Sequence, residues 1–332
     1  MRCFQKIAQV QTLHEAAELT KKDDLIFYAG GTDLMPHFKD QIRHCTTLAI
    51  LGNIPEMQKI MWKSDGSLQL GALVTLDTID KDEKMNQYFP ELSYSAARVA
   101  SPQIRNLATI GGNLFQDRRC IYFNQSRQWR SSIEACYKLN GHLCHQALKS
   151  PVCRASYYSD TATVFMVLDA RANVYENGIS KVYSIEDLLK RHSELNKTSN
   201  TENMLITTLD IPKRRGFGYF IKSGVRSSVD FPIFNAAVCV KKNTQGQWEA
   251  TLAVGAVGPV PILLPSTSTL LTQEIRAGRK LASEEVFNKA LEEIYRQATF
   301  ILEDNISIKT KRDACRFISI LLDKACATAS TT

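Results

Sequence analysis

The chain has 332 residues, 44% of them hydrophobic and 23% charged, with a formal net charge of +7. This is a globular composition, long enough for two or three domains with their own cores. No apolar run reaches the roughly 20 residues of a membrane span, and the stretch from Met1 to Lys6 lacks the apolar centre of a secretory signal, so a cytoplasmic location is expected.

In chain order, the first part reads as small α/β units. Thr12 caps a short helix over 12–19, with Glu15 three residues on. A strand over 25–28 runs into Ala29-Gly30-Gly31-Thr32, and 47–51 reads as another strand. Residues 67–72 alternate as a strand, 91–99 as a helix, and 109–114 as a glycine turn. Residues 116–158 show little periodicity, and so long an irregular stretch inside a compact domain is usually functional. A helix over 160–168 leads to a strand over 172–175, and a strand over 205–211 stops at Pro212. Strands near 218–222, 236–241 and 248–254 and helices near 283–298 and 308–324 complete the chain. The expected units are 1–58, 59–212 with an insertion of about 116–158, and 213–332.

The charge is local. Arg118, Arg119, Arg127, Arg130, Lys138, Lys149 and Arg154 face only Glu134 between residues 118 and 154, which places +6 of the +7 there. A basic chain invites a nucleic-acid reading, but the rest of this one is nearly neutral and no nucleic-acid partner is expected. Four of the nine cysteines, Cys120, Cys136, Cys144 and Cys153, fall in the same segment. Four thiolates suit a [4Fe–4S] cluster or a structural zinc. No C-x-x-C knuckle is present, so spacing alone leaves both open, with His142 and His145 as further donors for zinc. Nearby cations would stabilise a reduced, more negative cluster and would attract an acidic electron carrier. Cys3, Cys45, Cys239, Cys315 and Cys326 read as small buried side chains.

The two paired glycines are the other candidates. Gly30-Gly31 after a strand and Gly111-Gly112 after Thr109 could each be an ordinary tight turn or an anion cradle of backbone N–H groups. Two turns of one design could converge on a two-phosphate ligand. Neither is a Rossmann fingerprint or a P-loop.

At these residues the sequence resembles the FAD-binding subunit of the molybdenum hydroxylases, the xanthine dehydrogenase and carbon monoxide dehydrogenase family. The pieces that carry this are Ala29 to Leu34, Gln103-Ile104-Arg105-Asn106 running into Thr109 to Leu114, and Ser159-Asp160 before a helix. The resemblance implies an α+β chain: a vanillyl-alcohol-oxidase-type FAD-binding fold of two α/β subdomains, then a C-terminal α+β domain of the carbon monoxide dehydrogenase flavoprotein type. By it, Phe27, Tyr28, Ala29, Gly30, Gly31, Thr32, Asp33 and Leu34, with Ala108, Thr109, Ile110, Gly111, Gly112 and Asn113, would hold the pyrophosphate and ribityl parts of FAD. Val99 would lie near the adenine, Asp160 near the ribityl or ring, and Lys222 near the isoalloxazine, with Ile121 also in the cofactor set. The loop Ser227-Ser228-Val229-Asp230 departs from the family's pattern.

The four-cysteine excursion resembles one branch of that family, the 4-hydroxybenzoyl-CoA reductase β subunits, more than the periplasmic aldehyde oxidoreductases of the family that also hold a cluster there. The resemblance makes Cys120, Cys136, Cys144 and Cys153 ligands of a [4Fe–4S] cluster. It implies an electron-transfer component with no substrate site of its own, in a dimer of heterotrimers with a molybdopterin-binding large subunit and a [2Fe–2S] small subunit, fed by a ferredoxin-like donor. The alternative is a xanthine or aldehyde dehydrogenase-type subunit that passes electrons to NAD or another acceptor. A third possibility is a zinc-stapled binding module.

Overall fold

The amino-terminal sheet is parallel because helices bridge its strands. β1 (Phe4–Gln9), β2 (Leu25–Tyr28) and β3 (Cys45–Ile50) lie in the order β1-β3-β2. The helix Leu13–Leu19 follows β1 and begins as the sequence indicates: Thr12 Oγ1 accepts the Glu15 N–H at 3.1 Å, and the Glu15 carboxylate accepts the Gln11 N–H at 2.8 Å. The helix Leu34–Lys39 follows β2. The computed structural model describes residues 3–52, 54–195, 204–226, 228–303 and 306–331. Met1, Arg2 and Ser227, which figured in the sequence reading, lie outside them.

The second sheet is antiparallel, in the order β4 (Ile60–Trp62), β5 (Leu68–Gly71), β8 (Met204–Ile211), β6 (Arg171–Glu176), β7 (Ile179–Ser184). The helix Ile185–Leu195 follows β7. It escaped the sequence reading, although Ile185, Leu188, Leu189 and His192 are all buried at the i, i+3, i+4, i+7 spacing of one helical face.

The third sheet is an antiparallel meander of β9 (Gly216–Ser223), β10 (Phe234–Lys242), β11 (Trp248–Gly255) and β12 (Ile262–Leu263). β10 serves two cores, and its alternation shows it: Phe234, Ala236, Val238 and Val240 pack with the C-terminal helices, while Ala237 and Cys239 join the core of the preceding sheet. The helix Asp160–Val167 belongs to the core of the preceding sheet and packs on β10 and β11, buried along its whole length, with Asp160, Thr161 and Thr163 among its buried residues. The single helix expected over 308–324 is instead two, Ile308–Ala314 and Ile318–Ala329, joined by a 3₁₀ turn at Cys315–Phe317. The whole is a mixed α+β chain.

Candidate functional site

The two glycine motifs meet at one cleft with about 1290 Å³ of empty space, part of it open to solvent. Phe27, Ala29, Gly30, Gly31, Thr32, Asp33 and Leu34 line it from one side, and Val99, Ala108, Thr109, Gly111, Gly112 and Asn113 from the other. Tyr28, Ile110, Ile121, Asp160 and Lys222 are not in the lining. The segment 109–114, read as a turn, is the N-cap and first turn of a helix, Ile110–Leu114, with Thr109 Oγ1 accepting the Gly112 N–H at 3.2 Å.

The glycines are required first by contacts within the chain. A Cβ on Gly30 would lie 1.8 Å from the Leu107 carbonyl oxygen, so this glycine lets the two motifs touch. Gly31 has φ +69°, and the Tyr28 ring occupies the place of its missing side chain. Gly111 sits on Ala72, whose carbonyl oxygen would be 2.9 Å from an added Cβ.

The motifs differ in the donors they leave free. In the second, the N–H groups from Ile110 to Asn113 are used: Ile110 donates to Val74 O, Gly111 to Ala72 O, Gly112 to Thr109 Oγ1 and Asn113 to Thr109 O. In the first, the N–H groups of Gly30, Gly31 and Thr32 have no acceptor among the described residues. Asn113 adds a side-chain donor. Its Oδ1 accepts from Ser159 at 2.6 Å and Thr161 at 2.7 Å, which fixes the amide and leaves its nitrogen without a partner among the described residues.

Beside the cleft lies a buried ion cluster that the sequence reading missed. Asp117, which lines the cleft, accepts from Lys138 Nζ on one oxygen and from Arg43 at 3.2 Å on the other. Burial pushes the Asp117 carboxyl up, but Lys138, Arg43 and His37 outweigh it and hold it well below the usual carboxylate range. Asp33 accepts the Asp117 N–H at 2.9 Å and pairs with Arg119, so its carboxylate is engaged in holding the excursion. His192 stacks on the cleft residue Phe115 at 4.4 Å, and burial lowers its pKa to about 3. The run Asp117-Arg118-Arg119, directly after the second glycine motif, was the available signal for this cluster.

Cys120, Cys136, Cys144 and Cys153 all line a second cavity, with about 290 Å³ of empty space, part of it open to solvent. Two donors reach the sulfurs: the Ala155 N–H lies 3.5 Å from the Cys153 sulfur, and the Gln146 side-chain amide 3.8 Å from that of Cys120. Burial, the largest influence, pushes the Cys120 and Cys136 thiols up. Among the described residues no three His, Cys, Asp or Glu side chains are grouped as ligands of one metal ion. The two cavities are one residue apart along the chain, since Arg119 lines the cleft and Cys120 the cysteine cavity.

The local positive charge is mostly internal. Arg118, Arg130 and Lys138 are buried, Arg119 pairs with Asp33, and Arg154 hydrogen-bonds Ser150 and Thr299. Of the seven basic residues, only Arg127 and Lys149 are exposed.

Asp160 and Lys222 find each other instead of the cleft. Lys222 Nζ is 2.6 Å from Asp160 Oδ2 and also donates to Arg98 O at 2.8 Å, while Asn235 holds the other Asp160 oxygen at 2.8 Å. Burial pushes the Asp160 carboxyl up against the pull of Lys222. Lys222 lines an adjoining basic pocket with Arg98, Arg105 and Arg226.

Comparison with known proteins decides what family this is. The family described as the FAD binding domain in molybdopterin dehydrogenase matches residues 2–214. The chain belongs to that family. Among its relatives, the aldehyde oxidoreductase FAD-binding subunit PaoB of Escherichia coli is 28% identical over 263 residues, 76% of this chain and 80% of the relative. The nicotine 6-hydroxylase medium subunit of Paenarthrobacter nicotinovorans is 24% identical over 289 residues, 86% of this chain and 87% of the relative. Two solved structures share the fold. Quinoline 2-oxidoreductase from Pseudomonas putida 86 has a TM-score of 0.71 at 20% identity, covering 98% of each chain. Carbon monoxide dehydrogenase from Oligotropha carboxidovorans has a TM-score of 0.71 at 17% identity, covering 99% of this chain and 98% of the other.

The chain is therefore an FAD-binding oxidoreductase component, and the cleft suits the cofactor. An elongated dinucleotide needs apolar walls and anion-binding N–H groups. Phe27, Leu73, Ile104 and Phe115 supply walls, and Gly30, Gly31 and Thr32 supply free N–H groups. No helix among the described residues is long and apolar enough to cross a membrane.

Proposed function

We propose that this chain carries FAD in the glycine-lined cleft and a [4Fe–4S] cluster on Cys120, Cys136, Cys144 and Cys153, and relays electrons between a donor or acceptor and a molybdenum-containing partner. The observation that carries this reading is the convergence of four thiols on one cavity a single residue from the FAD cleft. Four cysteine ligands are what such a cluster requires, and the Ala155 N–H at Cys153 and the Gln146 amide at Cys120 are donors that a thiolate would accept from. In this reading FAD supplies the exchange between one- and two-electron transfers. The chain itself would hold the diphosphate on Gly30, Gly31, Thr32 and Asn113 and keep water from the buried face. Asp160 and Lys222, bound to each other outside the cleft lining, would act on the cofactor only through the elements they tie together. The units 1–58 and 59–212 would form the two FAD-binding subdomains and 213–332 the C-terminal domain. The complex would be a dimer of heterotrimers, with a molybdopterin-binding large subunit and a [2Fe–2S] small subunit.

Two reaction directions suit this relay. The cysteine excursion favours a reductive complex of the 4-hydroxybenzoyl-CoA reductase type, in which electrons pass from a ferredoxin-like donor to the cluster, then FAD, [2Fe–2S] and molybdenum. The donor would dock where Trp129, Leu148 and Val152 are exposed beside Arg127 and Lys149. The likeness to PaoB, an aldehyde oxidoreductase subunit, favours the oxidative direction, with FAD delivering electrons to NAD or another acceptor.

The test is the absorbance, iron and flavin content of anaerobically purified protein. Flavin bands with broad iron–sulfur absorbance and about four irons per chain are expected, and flavin without iron would refute the cluster. Assaying the complex for reduction of an aromatic acyl-CoA and for oxidation of an aromatic aldehyde separates the directions.

A further inference from the structure

Asp117 and Lys138 join the two cavities. Asp117 is part of the cleft wall, Lys138 is part of the cysteine cavity's wall, and the two are bonded to each other. Both are buried, Asp117 at 4% and Lys138 at 3% exposure. Lys138 stands two residues from Cys136, and its Nζ lies 4.1 Å from the ring centroid of Phe123, which also lines the cysteine cavity. On the cleft side, Arg43 holds the second Asp117 oxygen at 3.2 Å and lines the cleft as well. Charges this deep are weakly screened by solvent and salt, so each is felt on its own side of the wall.

We propose that the Asp117–Lys138 ion pair couples the two redox sites electrostatically, Lys138 as a positioning charge for the group held by the cysteines and Asp117 as the opposite charge presented to the flavin. This rests on the reading that the four cysteines hold an iron–sulfur cluster. A cation beside a cluster stabilises its reduced, more negative state and raises its potential. An anion beside the flavin lowers the potential there. Each member of the pair reaches the other's site, because deleting Lys138 leaves Asp117 less compensated, with Arg43 still on it, and deleting Asp117 leaves Lys138 without its carboxylate.

The experiment is a redox titration of the purified complex, following the cluster by electron paramagnetic resonance and the flavin by absorbance, with iron and flavin content measured on each variant. Lys138→Met is expected to keep both cofactors and to move both potentials negative. Asp117→Asn is expected to move both positive, and the double variant to return close to wild type. A purely structural role would not give opposite signs that cancel. Cofactor-loaded single variants with wild-type potentials, or two single variants whose shifts share the same sign, would overturn the proposal. Wild-type protein without iron would instead refute the cluster reading. If a single variant fails to fold, Arg43→Met decides: it keeps both members of the pair but strips Asp117 of its other cation. A negative shift of the flavin potential with little change at the cluster is expected there, and an unmoved flavin would overturn the coupling.

Discussion

Lys222 and Asp160 form an ion pair of 2.6 Å, with side chains 5% and 2% exposed, 62 residues apart in sequence. The pair ties the start of the helix Asp160–Val167 to the end of β9 and so joins the second sheet's layer to the third sheet. Removing one partner of a buried pair strands the other, at about 3–5 kcal/mol. Lys222→Met should therefore lower unfolding stability by that order in urea denaturation. Lys222→Met with Asp160→Asn should lose less than either single change, because no charge is left unpaired. Equal losses in all three variants would mean that the pair is not coupled.

Gly30→Ala should be among the most damaging single-methyl changes. The added Cβ would lie 1.8 Å from a backbone oxygen, which cannot rotate away as a side chain can. Overpacking of this kind costs about 3 kcal/mol or more, and bound flavin should fall with it. At Gly112 the nearest atom to an added Cβ is the Thr109 hydroxyl oxygen, at 3.0 Å, and alanine favours the helix more than glycine does. Gly112→Ala should therefore retain most of its flavin. Thermal unfolding and flavin-to-protein ratios of the two variants provide the comparison.

Asn113→Leu removes the acceptor shared by Ser159 and Thr161 and the amide donor at the cleft wall. Two buried hydroxyls left without that partner should cost about 1–3 kcal/mol. The lost donor should weaken flavin binding by about tenfold, as expected for roughly 1.4 kcal/mol. Apoprotein titrated with FAD measures the second effect separately from the first.

Cys136→Ser should remove cluster iron and leave the flavin largely in place, since Cys136 lines the cysteine cavity and not the cleft. Unchanged iron content in this variant would reject the cysteine assignment.

His192 makes acid stability sensitive to its burial. Its folded pKa lies near 3, below the 6.5 of an exposed histidine, chiefly because burial disfavours the charged ring. A group of depressed pKa contributes stability above its unfolded pKa and loses it as pH falls towards the folded value. The stability of the wild type relative to His192→Phe should thus decline from pH 6.5 towards 3. Denaturant midpoints at several pH values measure it, and a pH-independent difference would show that His192 is not buried in its neutral form.

Much of the local structure was legible in the residues themselves. Thr12 and Ser283 both accept from an N–H three residues on, as capping residues do, and Pro212 follows the last residue of β8. These signals act over three or four residues, so no tertiary knowledge is needed to read them. The helix Ile185–Leu195 was legible too, by its buried period, whereas the break at Cys315–Phe317 carries no proline or glycine to announce it.

What composition and spacing established about this protein was a pair of glycine motifs and a basic segment with four cysteines. Only tertiary structure decided that the motifs share one cleft, that Gly30 is glycine because Leu107 presses against it, and that most of the segment's cations face inward. The reason is one of range. Caps and periodicity are settled by neighbours along the chain, but a buried pair such as Asp117–Lys138 depends on which surfaces exclude water together, and no short stretch of sequence contains that information.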